Sequence, residues 1–183
     1  MVSFKFAALL LASTVAAAPA AVASESIYDL CLKDIDNIDS NVRILIDQMK
    51  TYTAGIENTR APLDTLAKVS EALASGVAHS ALLPPLSHAQ ALGIIHHVNS
   101  TLTVDNPIAI DLVIAKRPEF QKTHLDVFLS PVFTGLLAGH ESFTFNVGDK
   151  TPPDLYLTGL SVTSPISKAI AKGIAAYAGV PTQ

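Results

Sequence analysis

The chain has 183 residues, 49% of them hydrophobic, and a formal net charge of −4. An acidic balance with no basic stripe excludes a nucleic-acid footprint. A single cysteine, Cys31, excludes an intrachain disulfide, so a domain of this length must be held by apolar packing rather than by disulfide staples.

The first residues read as an export leader. Lys5 gives a positive start, and Phe6 to Val15 form an apolar run shorter than the ~20 residues that span a bilayer. Small residues follow, and Ala21, Val22 and Ala23 fit the A-x-A pattern cut by signal peptidase. A cut after Ala18 would set the rigid ring of Pro19 directly behind the scissile bond. Residues 1–23 are therefore expected to be a signal peptide and residues 24–183 a single domain. Removing 23 of 183 residues leaves 160 and takes Lys5 away, so the net charge moves from −4 to −5.

The clearest element runs from about Ser26 to Tyr52. Cys31, Ile35, Ile38, Val42, Leu45, Met49 and Tyr52 alternate in steps of four and three, one apolar face of a long helix. Cys31 falls on that stripe and reads as a core residue. A second helix is expected from Pro62, a good first-turn residue, through Leu66, Val69 and Leu73 to a stop at Gly76. Ser87 and Gln90 have the form of a capping box opening a third helix, with Leu92, Ile95 and Leu102 on one side. Asp105, Asn106 and Pro107 restart the chain as a fourth, carrying Ile108 and Leu112.

Pro118 after Lys116 and Arg117 interrupts the helical pattern. Leu125 to Gly139 is apolar again, with Phe128, Leu129, Val132, Phe133 and Leu136, and Pro131 inside it predicts a kink or a late start. Phe143 to Val147 alternates like a strand, Gly148 to Asp154 reads as a turn, and Leu155 to Leu160 would complete a short hairpin. Ser164 and Pro165 are expected to cap a last helix with Ile166, Ile170, Ile174 and Tyr177. The fold class is all-α, an antiparallel bundle of about five helices that can enclose an apolar cavity.

Catalytic and metal chemistry find little support. His96 and His97 are adjacent, so on a helix they point about 100° apart and share no ligand face. His88 lies two turns from His96, and Cys31 has no partner cysteine. The acidic run of Asp34, Asp36 and Asp39 lacks the glycine and closing glutamate of a calcium loop and reads as a solvated helix face. Gly159 and Ser161 begin a nucleophile elbow without its second glycine. No metal, no cofactor and no enzymatic activity are expected. Asn99, Ser100 and Thr101 form the one N-glycosylation sequon. The C-terminal residues, with Lys168 and Lys172 upstream, lack the apolar tail of a GPI signal, and no transmembrane anchor is expected.

The run Asp34, Ile35, Asp36, Asn37, Ile38, Asp39, Ser40, with Val42 and Leu45 after it, resembles the opening helix of fungal hydrophobic surface-binding protein A domains, a family that includes the cell-wall galactomannoproteins. Leu112 to Lys122, where Lys116 and Arg117 precede Pro118 and Phe120, resembles its central segment, and Ile170 to Tyr177 its closing helix. The resemblance covers about Ile27 to Tyr177. It implies a secreted or wall-associated helical domain whose relatives adsorb to hydrophobic surfaces and, in the galactomannoprotein branch, hold fatty acids within the bundle. Phe143 to Leu160 looks less helical than the matching region of that family.

The reading that follows is a secreted, non-enzymatic protein that binds long-chain fatty acids or other lipids, or adsorbs to hydrophobic surfaces. The alternative is a helical module that recruits or inhibits a secreted hydrolase. Burying an acyl chain gains about 0.8 kcal/mol per methylene, so a sixteen-carbon chain offers roughly 10 kcal/mol before the costs of association. The residues expected to line the apolar interior are Ile35, Ile38, Val42, Leu45 and Met49 of the first helix and Leu66, Val69 and Leu73 of the second. Leu112, Phe128, Val132, Leu136 and Ile170 join them from later segments. A carboxylate head is expected near a polar mouth or at hydroxyls or amides such as Gln48 or Thr51.

Overall fold

The computed structural model describes residues 25–178, and the expected leader lies outside them. Among the described residues all regular structure is helical: α1 Ile27–Thr51, α2 Ile56–Ala81, α3 His88–Ser100, α4 Leu102–Ala115, α5 Arg117–Lys122, α6 Asp126–Lys150 and α7 Pro153–Tyr177. The chain is an all-α bundle with short connections, close to the five helices expected. The extra segments come from the middle arm, where α3 and α4 meet at Thr101 and α5 is a six-residue turn.

α1 forms as its periodicity predicts. The Ser26 hydroxyl caps it by accepting the Asp29 amide at 3.2 Å, and Asp29 and Lys50 sit at the ends that suit the helix dipole. Cys31, Ile35, Ile38, Val42, Leu45 and Met49 are all buried along one face. Each buried aliphatic of this kind contributes about 1.5–3 kcal/mol relative to exposure. α1 lies between α2 and α4, α6 pairs with α2 and α7, and α7 closes the ring against α4 and α3.

The capping box of α3 is present in full: Ser87 Oγ accepts from the Gln90 amide, and Gln90 Oε1 accepts from the Ser87 amide at 3.0 Å. Elsewhere the proline and glycine punctuation misleads. α2 begins at Ile56, carries Pro62 in its second turn, and runs past Gly76 to Ala81. α4 begins at Leu102, so Leu102 belongs to it rather than to the third helix, and Pro107 lies inside it.

The largest correction concerns Phe143 to Leu160, which holds no strand and no hairpin. α6 continues through it to Lys150, and α7 starts at Pro153, with Pro165 inside α7 rather than capping it. The physical reason is the spacing of the buried set. Leu129, Phe133, Leu136, His140 and Phe143 follow steps of four and three, whereas Phe145 is exposed to solvent. Alternation over five residues imitated a strand, and the helical period becomes visible only when His140 is counted as buried.

Two glycines set the approach of α2 to α6. A Cβ on Gly76 of α2 would stand 3.0 Å from the Phe143 ring of α6, and one on Gly139 of α6 would stand 2.8 Å from Leu73 of α2. Each helix thus receives a side chain of the other over a bare backbone. Gly76 and Gly139 are helix-packing positions, not stops.

Candidate functional site

Three adjoining spaces that share lining residues lie between the surface and the middle of the bundle. A groove of ≈460 Å³ opens between the C-terminal half of α6 and the N-terminal half of α7, with Glu141 and Lys168 beside Phe145. It shares Thr144, Tyr156, Leu160 and Thr163 with an upper cavity, to which Ile35 of α1 and Ile94, Ile95 and Val98 of α3 also contribute. The upper cavity shares Leu102, His140, Phe143 and Ile166 with a lower one, walled by Ile38, Val42, Leu45, Leu66, Val69 and Leu73 among others. The lower cavity reaches Ala109, Phe133 and Ile170.

The inner spaces are narrow. Their volumes are ≈70 Å³ above and ≈50 Å³ below, room for a handful of water molecules at roughly 10–15 Å³ each. Their walls are mostly apolar, with Thr144, Thr151, Tyr156 and Thr163 among the residues of the upper one, and Phe143 stands in both. A chain-like molecule passing from one to the other would displace its ring.

One polar side chain stands out at the junction. His140 is 8% exposed, lines both cavities, and its Nε2 is buried without a hydrogen-bond partner among the described residues. Burial pushes the imidazole pKa below its usual value, opposed by the Thr163 backbone and by Glu141. An unsatisfied buried nitrogen costs about 1–3 kcal/mol, and a site that keeps one calls for an explanation.

The predicted lining residues divide by position. Ile38, Val42, Leu45, Leu66, Val69, Leu73, Leu136 and Ile170 meet at the lower cavity, and Ile35 faces the upper one. Met49 is fully buried one turn beyond Leu45, toward the end of α1 where Tyr52 stacks on Phe120 at 4.6 Å. It lines neither cavity. Leu112 and Val132 pack against the core from partly buried positions and also lie outside the lining.

Phe128 is a correction: it is 58% exposed near the start of α6. Gln48 and Thr51 are likewise outside the cavity walls. Sequence reasoning missed His140, Phe143, Leu102 and Ile166. The first two lie in or beside the stretch read as a strand, and the others in segments assigned to a different helix or to a helix start.

The remaining titratable groups serve the scaffold. Asp34 and Asp39 are buried rather than solvated: His79 Nδ1 lies 2.6 Å from Asp34 Oδ2, and Arg43 Nε donates to Asp39 at 2.9 Å and to Asp105 at 2.7 Å. Burial raises the Asp39 pKa above the usual carboxylate value, against the opposing pull of Arg43. His97 pairs with Asp36 at 2.8 Å and His88 with Asp154 at 2.9 Å. These histidines thus pin helix to helix one at a time, and no group of three potential metal ligands occurs among the described residues. Cys31 is buried, with its thiol pushed up to about 11 by desolvation and by Asp34. No described helix is long and apolar enough to cross a membrane. Asn99 is exposed in the last turn of α3.

A helical bundle with apolar spaces between its helices, beside a surface groove, is an architecture in which ligand sites form. The profile of the family described as Hydrophobic surface binding protein A matches residues 29–143, more than half the chain. The chain belongs to that family. No protein of curated function matches its sequence.

Solved structures share the fold. Ligand binding domain 1 of the Penicillium marneffei MP1 protein, complexed with arachidonic acids, is 19% identical with a TM-score of 0.77, over 84% of this chain and 99% of that one. AFMP4P in complex with palmitic acid is 16% identical with a TM-score of 0.78, over 82% of this chain and 99% of that one. Ligand binding domain 2 of MP1, in complex with arachidonic acids, is 23% identical with a TM-score of 0.73, over 80% and 91%.

Proposed function

We propose that the protein is an exported, non-enzymatic carrier of long-chain fatty acids. The observation that carries this reading is the row of three adjoining spaces, groove, upper cavity and lower cavity, which share lining residues and are mostly apolar inside. The fatty acids held by proteins of the same fold support it. Transfer of an acyl chain into this interior gains about 0.8 kcal/mol per methylene, which works against the costs of displacing Phe143 and ordering the ligand. The lining residues in this reading are Ile35, Ile38, Val42, Leu45, Leu66, Val69, Leu73, Leu136 and Ile170, with Leu102, Phe143 and Ile166 added.

A second mode, adsorption to hydrophobic surfaces, is favoured by two exposed apolar side chains, Phe145 in the groove lining at 71% and Leu157 of α7, next in the chain to the groove residue Tyr156, at 74%. Export rests on the leader at residues 1–23, with Ser24 as the first mature residue and Asn99 as an exposed glycan acceptor.

One experiment addresses these points together: native mass spectrometry of protein purified from culture medium, followed by organic extraction. The expected result is a chain beginning at Ser24, any N-glycan confined to Asn99, and a co-purifying fatty acid. Protein that is empty and also leaves a fluorescent fatty-acid probe unbound overturns the carrier reading.

A further inference from the structure

We propose that His140 receives the carboxylate of the bound lipid, so that the head group stops inside the bundle, at the junction of the two cavities, with its chain directed into the lower one, which widens to take it. The inference rests on the carrier reading above and deepens it. Three observations carry it. His140 lines both cavities, and its Nε2 is buried with no partner. The lower cavity beyond it is walled by aliphatic and aromatic side chains, and its other polar member, Asn106, donates its Nδ2 to the Leu102 carbonyl at 2.9 Å. The groove and upper cavity lie on the other side of His140, so a fatty acid entering tail first passes its chain inward and brings its carboxylate last to the imidazole.

The electrostatics of the junction are simple. α6 packs against α2, α5 and α7. Residues that α1, α2, α3 and α4 contribute to the two cavities are uncharged, and Tyr156 of α7 is the other titratable group lining them. Glu141, the next residue on α6, favours the protonated ring, and it stands with Lys168 of α7 at the groove. In the empty protein desolvation is the largest influence on the imidazole and favours its neutral form. A carboxylate arriving at Nε2 supplies the opposite charge that burial lacks, so binding takes up a proton and tightens as the pH falls. A neutral head group of the same chain length takes up none.

The test compares palmitic acid with hexadecanol on the full mature protein, by displacement of a fluorescent probe at pH 5.5 and pH 8. The acid is expected to bind at least fivefold more tightly at the lower pH, while the alcohol shows no such change. In His140→Leu the preference for acid over alcohol is expected to collapse at both pH values. His140→Gln, which keeps a donor but cannot take up a proton, should retain part of the preference without its pH dependence. In parallel, nitrogen NMR of ¹⁵N-histidine-labelled wild-type protein should show one imidazole shifting to the protonated form with palmitic acid and staying put with hexadecanol. That readout survives if a variant fails to fold. Equal acid preference and pH dependence in His140→Leu, or a histidine spectrum that palmitic acid leaves unmoved, overturns the assignment while leaving the carrier reading intact. Failure to bind either lipid overturns both.

Discussion

Tyr177 fastens the end of α7 to the end of α4. Its hydroxyl donates to the Val113 carbonyl at 2.7 Å, its ring lies 6.0 Å from that of Phe133, and the Arg117 guanidinium sits 5.8 Å from its centroid. The side chain is 1% exposed, and burial pushes the phenol pKa well above its usual value of 10.0. Tyr177→Phe removes a neutral hydrogen bond and is expected to cost about 0.5–1.5 kcal/mol at neutral pH. The fold favours the neutral phenol, so the contribution of Tyr177 is complete below the unfolded value near 10 and is lost as pH rises toward the folded one. Urea denaturation of both proteins should therefore show a gap at pH 7 that shrinks by pH 11. A gap that stays constant over that range contradicts the linkage.

At the scale of helices, α6 sets two glycines against each other. A Cβ at Gly139 would meet Leu73 at 2.8 Å, whereas one at Gly135 would meet nothing within 4 Å. Alanine is the better helix former by roughly 0.5–1 kcal/mol, so Gly135→Ala should raise the melting temperature. Gly139→Ala should lower it, because the overpacking against α2 costs about 1–3 kcal/mol. Thermal melts of the two variants decide the matter, and shifts of the same sign would sink the idea.

The same positions show why part of the fold was legible in the sequence and part was not. α1 was plain because its apolar stripe has no interruption, and α3 because Ser87 and Gln90 mark its start chemically. α6 and α7 were obscured by Gly139, Gly148 and Pro165, which lie inside them. There, tertiary contacts override residues that usually end helices, as where Tyr156 packs 3.0 Å from a Cβ built on Gly148. The site was legible to the same extent. Lining positions on α1 and α2 follow from helical period alone, while His140 and Phe143 depended on recognising that α6 continues.

The whole molecule has a closed end and an open one. The closed end is plugged by Tyr52 stacked on Phe120 and by Tyr177, and it is tied further by Lys116 Nζ donating to the Tyr52 carbonyl at 2.8 Å. At the open end Tyr156 and Leu160 edge the groove, and Leu157 projects from the same turn of α7, 74% exposed and outside the cavity linings. An apolar rim around an opening lowers the cost of pressing that opening against a lipid surface, since each exposed group leaves water on contact. Phe128 provides the internal comparison. It is 58% exposed on the same helix as Phe145, but seventeen residues away, roughly 25 Å along α6. Leu157→Ser and Phe128→Ser should each leave the folding free energy within about 0.5 kcal/mol of the parent, as exposed substitutions do. Leu157→Ser alone is expected to slow transfer of a fluorescent fatty acid from vesicles into the protein and to reduce retention on hydrophobic beads severalfold. Stopped-flow transfer and a bead-depletion assay measure the two effects. Equal losses in both variants would mean that apolar exposure anywhere suffices and that the groove has no privileged role in loading.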